Sequence, residues 1–136
     1  MAAMRHQARI IALQALYEVE TAGHKAAEVL TRLLEASELT EESAAFAREL
    51  VNGVLRNQEK IDENIKEFAP AWPLEQMMII DRNILRLAIF EILLDNEVSV
   101  KIAINEAVEL AKEFGGDSSS SFVNGVLGSI SNLAGR

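Results

Sequence analysis

The sequence predicts an all-α fold made of two small helical halves. Apolar residues recur at helical spacing along almost the whole chain, and no stretch shows the period-two alternation of a half-buried strand. Pro70-Ala71-Trp72-Pro73 is the one strong break in the 136 residues. A faint repeat spans that break. Leu50-Val51-Asn52-Gly53-Val54-Leu55 recurs as Phe122-Val123-Asn124-Gly125-Val126-Leu127, and Arg9, Ile11, Ala15, Tyr17 and Glu18 are answered by Arg82, Ile84, Ala88, Phe90 and Glu91. One domain over 1–136, with approximate halves 1–69 and 74–136, accounts for both the break and the repeat.

The elements follow in order. A first helix over about Ala3 to Glu20 places Ile10, Leu13, Leu16 and Tyr17 on one buried face, and Gly23 ends it. A second covers about Lys25 to Ala36, with Val29, Leu30, Leu33 and Leu34 inward. Thr40 caps the third, where Glu41 and Glu42 oppose the positive end of the helix dipole. This helix carries Phe46, Leu50, Val54 and Leu55, then continues or restarts through Ile61, Ile65 and Phe68. After the prolines, Ile79 to Leu94 is apolar around nearly its whole circumference, the mark of a central helix. Ser99 caps the next, which stops at Gly115-Gly116. Asp117 or a following serine caps the last, which carries Phe122, Val123, Val126, Leu127, Ile130 and Leu133. Gly53 and Gly125 cost helix stability, so each is expected to permit close backbone approach.

Composition excludes several classes of function. Hydrophobic residues at 49% and charged residues at 25% describe a globular chain rather than a disordered one. The absence of cysteine removes disulfides, thiol catalysis and cysteine-held metal, and suits a reducing cytoplasm. The first helix reads as neither signal peptide nor anchor. Met77 to Leu94 carries Asp81, Arg82, Asn83, Arg86 and Glu91, too many polar groups for a membrane span. The net charge of −8 opposes nucleic-acid binding, but residues 1–17 hold Arg5 and Arg9 and no acid.

No catalytic motif is present, and no cofactor or metal site is read. His6 and His24 lack partners at metal or triad spacing, and no phosphate-binding or dinucleotide-binding glycine pattern occurs. Ser118 to Ser121 reads as a helix start rather than a nucleophile. The first helix is the richer feature. Arg5, His6, Arg9, Gln14 and Tyr17 supply guanidinium forks for phosphates, an amide for base edges and a ring for stacking. The same residues also describe a plain helix with solvated arginines and a core tyrosine. Composition alone favours the plain helix, since two arginines are little.

A family resemblance favours the first. Ile104-Asn105-Glu106-Ala107-Val108-Glu109-Leu110-Ala111-Lys112 with Phe114-Gly115, then Phe122-Val123-Asn124-Gly125-Val126-Leu127, resembles the C-terminal signature of the bacterial NusB family. Asp81-Arg82-Asn83-Ile84-Leu85-Arg86-Leu87-Ala88 with Glu91 resembles its central helix, and Ala8-Arg9 with Ala12 and Gln14-Ala15-Leu16-Tyr17 its first. The resemblance implies two helical bundles in one NusB-like domain and a role in transcription antitermination. It implies single-stranded boxA RNA, notably of rRNA operons, bound jointly with the small-subunit ribosomal protein NusE, in an RNA polymerase elongation complex with other Nus factors. The partner would then supply the positive field this acidic chain lacks. Carried across, Arg5, Arg9, Gln14 and Tyr17 form one part of the RNA surface, and Phe122 and Asn124 another. Asp81 lies where RNA and partner meet, and the helices beside Pro73, with Glu75, Asp81 and Arg82, receive the ribosomal protein. Spacing alone would put Phe122 in the core. Reversing the charge at Arg9 is expected to weaken RNA binding with little loss of fold.

The sequence departs from the family pattern at His6 and Gln7, where arginines are frequent, at Ser121 in place of a basic residue, and at Gly128 in place of an aspartate. These changes thin the positive charge available to RNA. Two other readings compete: the RNA-binding accessory domain of an rRNA cytosine methyltransferase, which would be expected to carry a long C-terminal domain with a cofactor site, and a helical interaction module or homodimer without intrinsic RNA binding.

Overall fold

The computed structural model describes residues 2–95 and 97–135, in which every regular element is helical. Its contacts divide it into two compact units, the chain passing from one to the other between Arg56 and Asn57. In the first, α1 (Ala2–Ala22) packs on both α2 (Ala26–Glu35) and α3 (Glu41–Arg56). Gly23 takes φ +72, a conformation that a side chain would strain, and its N–H closes α1 on the Val19 carbonyl at 3.1 Å. Thr40 starts α3 as expected, its Oγ1 accepting from the Ser43 N–H at 3.2 Å. Beyond Gly23, His24 Nδ1 lies 2.7 Å from Glu18 Oε2, and Arg32 of α2 donates to both oxygens of the same carboxylate. His24 and then Arg32 hold the Glu18 carboxyl below the usual carboxylate range.

The buried seam of α1 is Ala8, Ile11, Ala12, Leu13, Ala15 and Leu16. Three of these are alanines, which let α2 and α3 come close. The seam differs from the expected one. Ile10 is only half-buried and Tyr17 is exposed. Phe46, Leu50 and Val54 are buried on α3, and burying a leucine as fully as Leu50 contributes about 1.5–3 kcal/mol.

The second unit holds α4 (Gln58–Phe68), a short 3-10 turn (Leu74–Gln76), α5 (Ile79–Ile89), a π-helical segment (Phe90–Asp95), α6 (Val100–Phe114), α7 (Ser119–Ile130) and a closing 3-10 turn (Ser131–Leu133). The helical path restarts at α4 rather than continuing from α3, because Asn57 leaves helical geometry. α5 packs on α4, α6 and α7, and every residue from Asn83 to Ile92 is buried. That burial includes Arg86. Its Nε and NH2 donate to Asp62 of α4 at 2.8 and 3.0 Å, and its NH1 donates to Asn83 Oδ1 at 3.1 Å. The central helix is not α-helical to Leu94 as expected. From Phe90 it winds more loosely, a local rearrangement that no spacing in the sequence marks.

Ser99 caps α6, accepting from the Ile102 N–H at 3.1 Å, and α6 ends at Gly115. A Cβ there would stand 2.5 Å from Ser119 Cβ and 2.7 Å from the Ala111 carbonyl oxygen, so the tight passage into α7 requires glycine. Neither Asp117 nor Ser118 caps α7 with its side chain; Ser119 Oγ instead accepts from the Gly116 N–H at 2.9 Å. Leu133, expected on the last helix, lies beyond α7 in the closing 3-10 turn and is exposed.

Gly125 also corrects an expectation. Gly53 is buried, but Gly125 is exposed and a Cβ added to it would meet nothing within 4 Å. Gly125→Ala should therefore raise unfolding stability by about 0.5–1 kcal/mol through helix propensity alone, measured by chemical denaturation. A loss of stability would restore the close-approach reading.

Candidate nucleic-acid interface

In the first unit, α1 and α3 fix the geometry of the two N-terminal arginines. Arg5 and Arg9 lie four residues apart on one face of α1 and share the Phe46 ring of α3. The guanidinium carbon of Arg5 stands 4.4 Å from the ring centroid and that of Arg9 5.2 Å, both within cation–π range. Arg5 is half-buried, whereas Arg9 is only 3% exposed. Tyr17, at 41% exposure, and Gln14 are open to solvent. They are i,i+3 neighbours, and Gln14 lies on the opposite side of the helix from Arg5. α1 thus carries two separate pairs, an arginine pair on Phe46 and an amide–phenol pair. The plain alternative of solvated arginines and a core tyrosine is inverted for Arg9 and for Tyr17.

In the second unit, Phe122 on the first turns of α7 is half-buried, not core, and Asn124 is exposed. The Phe122 ring meets Trp72 at 5.9 Å between centroids and 70° between planes, an edge-to-face contact. Glu75 is exposed in the 3-10 turn, and Arg82 holds that turn from α5. Arg82 NH1 donates to the Leu74 carbonyl at 3.2 Å and to the Met77 carbonyl at 3.3 Å. Burial, and then the charge of Arg86, pulls the Arg82 guanidinium below its ordinary value, and it stays charged at neutral pH. Asp81, in the first turn of α5, is only 7% exposed, and its buried Oδ1 accepts no hydrogen bond among the described residues. An orphaned buried carboxylate oxygen is costly unless an incoming donor meets it.

The model of the NusB family matches residues 6–132. The chain belongs to the NusB family. It is 57% identical over 131 residues to the transcription antitermination protein NusB of Dehalococcoides mccartyi, covering 96% of this chain and 92% of that one. It is 48% identical to the protein of the same name from Chloroflexus aggregans, over 96% and 88% of the two chains. Among solved structures it resembles NusB of T. maritima, with a TM-score of 0.88, 30% identity and coverage of 94% and 90%. It resembles equally a chain from a crystal structure of the antitermination factors NusB and NusE in complex with double-stranded RNA, with a TM-score of 0.88, 25% identity and coverage of 98% and 99%. No helix among the described residues is long and apolar enough to cross a membrane.

Sequence reasoning missed two residues in this NusB-family chain. Phe46 reads from its spacing as core only, and nothing local in the sequence signals that two arginines lie over its ring. Trp72 reads as part of a proline-flanked break. Its contact with Phe122 joins residues 50 positions apart, beyond the reach of any periodicity.

Proposed function

We propose that this protein is a transcription antitermination factor that binds boxA-type single-stranded RNA together with NusE. It would act within the RNA polymerase elongation complex on rRNA operons, in the cytoplasm, with no catalysis of its own. The observation that carries the antitermination reading is the likeness, over nearly the whole chain, to a chain of the complex of NusB and NusE with double-stranded RNA. The exposed Tyr17 and the half-buried Phe122 support an unpaired strand over a duplex, because ring faces stack on bases that are splayed out. Arg5 serves the phosphates, Gln14 and Asn124 the base edges, and Arg9 sets the arginine pair against Phe46. Asp81 offers its unpaired oxygen to a donor on the partner or the RNA, Glu75 is an exposed partner contact, and Arg82 fixes the turn that carries it.

The reading is tested by titrating boxA RNA into the chain with NusE over a salt series. Each neutralised phosphate contributes a slope of about −0.7 in log K against log salt on a single strand. A clear negative slope is expected, and a flat response would count against phosphate recognition. The burial of Arg9 favours a second reading, a helical adaptor or homodimer without RNA binding of its own, because it leaves less of the basic patch accessible.

A further inference from the structure

Trp72 is 58% exposed, which leaves a large apolar ring in water. Its backbone is constrained. Pro70 and Pro73 flank it, the residue before a proline is restricted to extended backbone, and the Trp72 N–H is tied to the Ala69 carbonyl at 3.1 Å. Its one ring partner among the described residues is Phe122. A main chain already constrained in this way loses little freedom when the residue it carries binds.

We infer that Trp72 is an RNA-contacting residue whose indole gives a second stacking surface beside Phe122, for an unpaired nucleobase. The inference rests on the RNA-binding reading above. The two rings are inclined at 70°, so bases lying flat on them would be splayed apart at a similar angle. A single strand can open its bases in this way, whereas a duplex keeps its neighbours stacked in parallel. The chemistry around Phe122 also favours RNA over a protein partner. Residues 118–135 contain no charged side chain, and Ser121 and Asn124 are exposed on α7. These groups can hydrogen-bond base edges, whereas an apolar protein surface would leave them unpaired.

Trp72 is the only tryptophan of the chain, so its fluorescence reports on this ring directly. Single-stranded boxA-type RNA is titrated into the chain with NusE, the Trp72→Tyr variant giving the background. The inference expects RNA to quench Trp72. It also expects Trp72→Ala to weaken RNA binding about 5- to 100-fold, with Trp72→Tyr retaining most of the affinity. RNA binding with no change at Trp72, and equal affinity for Trp72→Ala, would overturn the inference and leave the RNA-binding reading standing. A Trp72 signal that follows NusE alone, with Trp72→Ala weakening only that contact, would overturn it in favour of a protein-facing ring. Failure of the wild-type chain with NusE to bind RNA at all would overturn both.

Discussion

Asp62→Ala should destabilise the protein by about 3–5 kcal/mol, measured by urea or thermal unfolding. Arg86 is buried in α5, and Asp62 meets it with two donor–acceptor contacts of 2.8 and 3.0 Å. Removing the carboxylate takes both of these contacts and their counter-charge away from a buried guanidinium, and a neutral acceptor such as Asn83 Oδ1 cannot replace a counter-charge. Stability is commonly about 0.05–0.15 kcal/mol per residue, so a loss of this size is a large share of the total for 136 residues. The pair should matter more as a pair than as a source of stability. An Asp62→Leu, Arg86→Met double variant should recover much of the loss, since apolar replacement of a buried ion pair is often neutral. A single variant that unfolds like the wild type would show that Asp62 does not neutralise Arg86.

Arg9→Glu should also unfold the protein more easily, by about 2 kcal/mol or more. The sequence alone suggests an exposed arginine whose reversal spares the fold. The structure instead buries Arg9 against the Phe46 ring, where a carboxylate would face the negative surface of the π-system in a poorly solvated place. Arg5 is more open and nearer the ring, so Arg5→Glu should cost less stability and is the cleaner probe of RNA contact. An Arg9→Glu protein with an unchanged unfolding midpoint would contradict this account of the first unit.

These two sites mark the border of what the sequence reveals. Local signals were legible: Thr40 and Ser99 cap the helices they precede, and Gly23 and Gly115 end α1 and α6. The all-round burial of α5 was legible too, because apolar residues on every side leave no solvent face. Side-chain direction was less so. Tyr17 fits the helical stripe as well as Leu13 does, yet Ala8, Ala12 and Ala15 take the buried seam, and alanine gives periodicity little weight. Contacts that depend on the tertiary fold left no trace. Asp62 with Arg86, Arg9 with Phe46, and Trp72 with Phe122 each join residues far apart in the chain, and the loosening of the helix at Phe90 follows no local rule. The candidate site was therefore legible as residue types and opaque as geometry.

The central claim is joint recognition of RNA by this chain and NusE. It is tested most directly by measuring boxA RNA binding at physiological salt, with and without the ribosomal protein. Tight binding only in the presence of NusE is the predicted result, since a chain of net charge −8 whose Arg9 is buried needs a partner's positive field. Capture of NusE with no RNA bound in either case would contradict it and leave a helical adaptor.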